Sequence, residues 1–223
     1  MADGGDPAVS FVVPAKGEAA YLPAALDGIA AQDTDREYET VVVVGGPRDG
    51  TAEVAAERGA RVYRQSTSGI GNARHLGACH ARGDWLAFVD ADTVPRPGYV
   101  ESMLDFVAGE GLAAASSRCR ITGPLRAKPM EWTINHLFPR LSRPVLPGFN
   151  CFVDAATYRE AGGFPAVPNE DTAFSRRLGR LAETGYCPAV LVETSGRRIA
   201  DSGLTGTLYH YLRLDWGRLT ADY

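Results

Sequence analysis

Two carboxylates one residue apart, Asp90 and Asp92, sit near the end of the stretch GDWLAFVDADTVPRP, residues 83–97. The run before them, Trp85-Leu86-Ala87-Phe88-Val89, is short and continuously apolar, which predicts a strand buried on both faces. Pro95 and Pro97 are expected to stop that strand. Acids at the carboxyl end of a parallel strand stand where α/β sheets collect their ligands. There they can hold a hard divalent cation, Mg2+ or Mn2+, against phosphate oxygens, or they can cap a solvated turn. Arg74 lies on the segment just before the strand. Its planar fork can pair bidentately with a diphosphate or can solvate at the surface. Glu170 and Asp171 begin a predicted helix, whose dipole keeps a carboxylate ionised and ready to accept a proton. A plain N-cap is the other reading. Arg197 and Arg198 follow the last predicted strand, as a phosphate clamp or as solvated charge. His210 stands alone on a predicted helix, as a ligand or a packed ring.

These residues need a scaffold that brings strand ends together. Val9 to Val13 reads as a strand closed by Pro14, with a loop Ala15 to Glu18. A helix follows over about Ala19 to Gln32, with Leu22, Leu26 and Ile29 on one face. Glu39 to Val44 is a second, β-branched strand. The turn 45–50 leads to a helix capped by Asp49 or Thr51, which runs to about Arg58. Arg61 to Arg64 is a third strand, Asn72 to Ala81 a helix, and Trp85 to Val89 the fourth strand. The strict β-α alternation with short connections predicts an α/β fold, with a mostly parallel central sheet and helices on both faces. Beyond it the sequence predicts a helix at Gly98 to Ala108 and a strand at Leu112 to Arg120. A proline-punctuated segment, Pro124 to Pro147, carries a helix around Met130 to Phe138. A strand at Phe149 to Val153 and helices at Ala155 to Ala161 and Asp171 to Thr184 follow. The last elements are a strand at Ala189 to Val192 and a helix at Leu204 to Leu219.

Length and composition suit one continuous domain. The chain has 223 residues, a net charge of −4 and ordinary globular composition. The reading is a flexible N-terminus over 1–8, then one domain over 9–223. Its halves are nucleotide-binding (9–95) and acceptor-binding (96–200), followed by the C-terminal helix (201–223). No basic excess points to nucleic acid. Cys79, Cys119, Cys151 and Cys187 form no C-x-x-C pair, so reduced, partly buried thiols are expected. Residues 1–8 have no signal-peptide pattern and no apolar run reaches membrane-span length. A cytoplasmic protein is expected, at most peripheral at the inner membrane face.

The spaced stretches VSFVVPAKGEAAYLPAAL, VVVVGGPRDGT, GIGNARHLGACHARGDWLAFVDADTVPRPGYV, AGGFPAVPNEDTAFSRRL and SGRR resemble the family 2 glycosyltransferases of the GT-A (nucleotide-diphospho-sugar transferase) fold. The resemblance covers about Val9 to Arg198. It implies that Pro14 and Glu18 line the nucleotide pocket and that Asp49 ends the second-strand turn. By the same resemblance Arg74 precedes the metal strand, and Asp90 and Asp92 form the D-x-D signature. In that pattern the second acid takes the metal and the first lies near the ribose. Asp171, with Glu170 beside it, matches the general base of an inverting transfer from a nucleotide-diphosphate sugar to an acceptor hydroxyl. The acidic residue that usually reads the base is replaced by Val44 and Gly45, and no Q-x-x-R-W element follows Asp171, which favours single addition. Two other functions compete: a sugar-1-phosphate nucleotidyltransferase, whose Gly-rich, Arg-containing loop is absent after strand one, and a non-catalytic nucleotide-sugar-binding module.

The acceptor side is expected in the second half. Residues 125–147 mix Arg126, Lys128, Arg140 and Arg143 with Trp132, Phe138 and Leu141 against one acid, Glu131. Such a mixture suits an anionic membrane surface or a lipid-linked acceptor, and equally a packed helix with solvated arginines. The apolar and aromatic face of 204–219 has the same two readings. Gly148 and Asn150 are expected to shape an acceptor-sugar pocket.

Overall fold

The computed structural model describes residues 5–197. Thus Arg198, His210 and the helix expected over 204–219 lie outside the described residues. The elements in chain order are β1 (Val9–Ala15), α1 (Leu22–Ala30), β2 (Tyr38–Val44), α2 (Thr51–Glu57), β3 (Arg61–Arg64), α3 (Ile70–His80), β4 (Trp85–Val89) and β5 (Thr93–Pro95). They continue with α4 (Tyr99–Glu110), β6 (Ala114–Thr122), α5 (Lys128–Trp132), β7 (Asn150–Asp154), α6 (Ala155–Glu160), α7 (Glu170–Leu181) and β8 (Thr184–Ser195).

One sheet runs in the order β3-β2-β1-β4-β7-β6-β8-β5. The four strands read from the alternation are parallel neighbours: β2 beside β3, and β1 between β2 and β4. Strand β7 enters antiparallel between β4 and β6. Side-chain alternation sorts the core onto two faces. Val9, Phe11, Val13, Ala87 and Val89 pack with α1 and α4. Val12, Leu86 and Phe88 pack with α6 and α7. Helix α3 lies on this second face, close enough that a Cβ on Gly77 would collide with Val12. Pro7 and Ala8, just before β1, are tied to its neighbours: the Ala8 amide donates to Glu37 O at 2.8 Å and Asp84 N donates to Pro7 O at 3.2 Å.

Several expectations change. Helix α1 starts at Leu22 rather than Ala19, because Pro23 sits in its first turn and the amides of Tyr21 and Leu22 both donate to Glu18 O. Pro95 does not end strand pairing: after Asp90 and Asp92 the chain resumes as β5, an edge strand antiparallel to β8, where a missing N–H is tolerated. Strand β8 spans twelve residues, far more than the predicted Ala189 to Val192. Pro188 hid it. The register with β6 shifts there, from Cys187 opposite Ser117 to Val190 opposite Arg118, so the proline never enters the ladder.

The helix expected at Met130 to Phe138 is broken into α5, a π turn at Thr133–Leu137 and a 3-10 turn at Phe138–Arg140. Asn135 accounts for the break. Its Oδ1 accepts from Cys119 N at 2.9 Å and its Nδ2 donates to Cys119 O at 2.8 Å. The side chain takes the place of a strand neighbour for β6, and π turns are where helices accommodate such a demand. All four cysteines are free, with Cys79 exposed and the others buried.

Candidate active site

The carboxyl ends of β1, β2, β3 and β4 surround a cleft of about 420 Å³. Pro14, Ala15, Lys16 and Glu18 enter it from β1, Gly46 from β2, Gln65–Ile70 from β3, and Asp90, Ala91 and Asp92 from β4. The cleft forms because each parallel strand hands over to its loop at the same sheet edge. The loops are tied to one another: Glu18 N donates to Thr51 Oγ1 at 3.3 Å, and Gly45 N donates to Ala15 O at 2.9 Å.

Behind Asp90 lies Arg74, whose side chain is only 3% exposed. It donates to Asp90 Oδ1 at 2.7 Å and to Glu170 Oε1. Its guanidinium lies over the Phe164 ring, 5.3 Å from the centroid. Phe164 in turn packs on Phe174 at 4.5 Å and Phe88 at 4.9 Å. Gly148 gives the guanidinium its space, since a Cβ there would overlap Arg74 Cζ. The arginine therefore joins the end of β4 to the start of α7. Burial opposes its charge, but Asp90, Glu170 and Asp171 outweigh that and hold Arg74 above its ordinary value. Burial also pushes the Glu170 carboxyl up, against the pull of Arg74. The Arg74 fork, expected to face a diphosphate, is engaged here by two carboxylates inside the protein.

Helix α7 begins at Glu170 directly after Asn169, whose φ of 55° is left-handed. Asparagine tolerates that conformation better than most residues, and such geometry clusters at working sites. Glu170 turns to Arg74, while Asp171 Oδ1 accepts from Thr172 N at 2.6 Å. Asp171 is only partly buried, in the first turn of α7.

A second arginine meets the cleft acids Glu18 and Asp92. Arg197 Nε donates to Asp92 Oδ2 at 3.1 Å, its NH2 donates to Glu18 Oε1, and its guanidinium stacks on Tyr21 with 4.2 Å to the centroid. Two carboxylates from β1 and β4 thus converge on one cation. Burial opposes Arg197's charge, yet Glu18 and Asp92 raise its value overall. Among the described residues no group of three or more His, Cys, Asp or Glu converges as a metal centre.

A sequence profile described as "Glycosyl transferase family 2" matches residues 10–161. The chain belongs to that family. The match takes in Glu18, Arg74, Asp90 and Asp92 and ends before Glu170. This family 2 chain is 26% identical over 194 residues to the glycosyltransferase AglE of Haloferax volcanii, covering 81% of this chain and 63% of AglE. Mannosyltransferase PcManGT of Pyrobaculum calidifontis, in complex with GDP-Man and Mn2+, superposes with a TM-score of 0.69 at 19% identity, covering 94% of this chain and 64% of that one. TarS 1-349 of S. aureus, in complex with UDP-GlcNAc, superposes with a TM-score of 0.69 at 18% identity, covering 85% and 58%. The fold of this family 2 chain is GT-A, and it spans under two thirds of each of these three proteins.

Other candidate residues fall in varied places. Asp49 is exposed and its Oδ1 accepts from Thr51 N at 3.1 Å, so it serves the start of α2 and does not line the cleft. The hydrogen bonds from Thr51 hold its carboxyl low. Asn150 is buried and donates to Ser117 O at 2.8 Å, locking β7 to β6 instead of facing an acceptor. Gly148 serves Arg74. Trp132 is 61% exposed on α5. The sequence reading missed Lys16, Tyr21 and the 65–69 loop; the last had a signal, the polar run Gln-Ser-Thr-Ser-Gly directly after a strand.

Proposed function

We propose that this protein transfers a sugar from a nucleotide-diphosphate sugar to an acceptor hydroxyl, with inversion and one addition per encounter. One observation carries the reading: a cleft at the strand ends lined by Glu18, Asp90 and Asp92, with Arg74 tying Asp90 to the start of the helix that carries Asp171. Asp171 takes the acceptor proton, because Glu170 is occupied by Arg74 and Asp171 is not. Arg74 acts as a positioning residue that fixes Asp90 and α7.

The donor set fits Mg2+ or Mn2+. Glu18 and Asp92 already gather a positive charge, and Glu18 Oε2 is buried with no hydrogen-bond partner among the described residues. Hard carboxylate oxygens suit these ions, which take few protein ligands and complete their shell with phosphate and water. Asp92 would hold the ion, with Asp90 and Glu18 nearby, and the ion would supply charge to the leaving diphosphate. Arg197 occupies that charge position in this structure.

The acceptor side is assigned to residues 125–141, where Leu125, Trp132, Leu137 and Leu141 are exposed beside Arg126 and Arg140. An acceptor sugar or a lipid-linked acceptor at a membrane's inner face suits that mixture. No helix among the described residues is long and apolar enough to cross a membrane. Sedimentation with anionic vesicles, weakened when Arg126 and Arg140 are neutralised, supports the membrane contact; equal sedimentation removes it. For the reaction itself the test is release of nucleoside diphosphate from a panel of donor sugars with Mn2+. Turnover by the whole protein with an acceptor supports transfer, and binding without turnover supports a non-catalytic module.

A further inference from the structure

The cleft has two chemically distinct ends. Asp90 and Asp92 lie at β4, and the far end lies at β3, beyond β1 and β2. Three strand spacings separate them, about 14 Å. A nucleoside diphosphate whose phosphates lie at the acids must place its base toward β3. The residue waiting there is Gln65. It follows the last residue of β3, and its backbone amide continues the sheet by donating to Val44 O at 3.0 Å. Gln65 lines the cleft.

Two observations mark that side chain. Its Oε1 is buried and accepts no hydrogen bond among the described residues. A buried carboxamide oxygen left without a donor costs about 1–3 kcal/mol, so an orphan of this kind in a cleft calls for a ligand. The second observation is Gly45. Its missing Cβ is the space that Gln65 Nε2 occupies, with Cδ and Cγ of Gln65 packed just behind at 3.2 and 3.4 Å. Gly45 directly follows β2, where family resemblance placed an acidic base reader. No acid stands there, and the Gln65 carboxamide occupies the place of a Cβ at Gly45.

We propose that Gln65 is the base-reading residue of this protein, hydrogen-bonding the edge of the donor's nucleobase through Oε1 and Nε2. The inference rests on the nucleotide-sugar reading above. A carboxylate offers acceptors only. The carboxamide offers one acceptor and one donor, so it pairs with a base edge that sets an N–H beside an acceptor atom. Gly45 sets the position of that pair by letting the side chain lie flat against the end of β2.

Calorimetric titration of the whole protein with UDP, dTDP, GDP, CDP and ADP, in Mn2+, tests it. Inorganic pyrophosphate serves as the baseless control. The wild type should prefer one base. Gln65→Leu should weaken the preferred diphosphate roughly 10- to 100-fold, the discrimination a bidentate contact to a base edge provides. It should leave pyrophosphate binding unchanged. Gly45→Ala should do the same without touching Gln65's chemistry, because the new methyl displaces the carboxamide. A preference that survives in both variants overturns the inference while leaving the transferase reading standing. A wild type that binds all five equally also overturns it. A wild type that binds none of them, nor pyrophosphate, overturns both.

Discussion

Replacing Arg74 by Met tests how the site is held together. The substitution keeps the volume of the stem and removes the guanidinium. It leaves Asp90 and Glu170, which are 14% and 12% exposed, facing each other without their shared cation. Breaking a buried ion pair by deleting one partner costs about 3–5 kcal/mol, because the remaining charge is uncompensated. For a chain of this length each kcal/mol moves the thermal midpoint by about 2–4 °C, so the expected fall is roughly 6–20 °C. The pH dependence adds a sign. Glu170's carboxyl is raised by burial, so its protonated form favours the folded state, and that contribution is lost as pH rises through the folded value. Arg74 opposes the rise. Without it Glu170 climbs further, and the gap between variant and wild type should narrow as pH falls from about 7 to about 5. Scanning calorimetry across that range is the assay. Arg74→Lys should recover only part of the loss, since an ammonium lacks the fork that reaches two carboxylates. A midpoint within about 3 °C of wild type, or a gap that widens in acid, would refute the reasoning.

Other expectations follow from particular contacts. Asn135→Ala strands the buried N–H and C=O of Cys119, each worth about 1–3 kcal/mol when unsatisfied, so urea unfolding should show a loss of roughly 2–6 kcal/mol. A loss under about 1 kcal/mol would mean that Asn135 does not carry the strand edge. Arg197→Met removes the guanidinium from Glu18 and Asp92, so Mn2+ should bind more tightly in the absence of nucleotide, as read by calorimetry. Weaker Mn2+ binding would show that Arg197 supports the site rather than competing for it.

Much of this architecture was legible in the residues. Strand β4 begins and ends where its apolar run does, because a strand buried on both faces leaves no room for polar exceptions. The acids at 90 and 92 were visible for the same reason: charge at the end of such a run has only the strand edge to occupy. What stayed hidden depended on long-range pairing. Nothing near Pro188 announces that β8 continues past it, since the register shift that accommodates it belongs to β6. Arg74's two partners lie 16 and 96 residues away, so its burial could not be read from its own helix. Gln65 looked like an ordinary loop residue. Only the fold shows that a glycine directly after the neighbouring strand was shaped to receive it.

The central claim is that Asp171 accepts the proton of an acceptor hydroxyl while the Asp92 end of the cleft holds the donor. The most direct measurement pairs turnover with donor binding in Asp171→Asn, which keeps the shape of the helix start and removes the base. The account predicts a fall in kcat of roughly 10²–10⁴-fold, with donor affinity unchanged. Wild-type turnover in Asp171→Asn would contradict it.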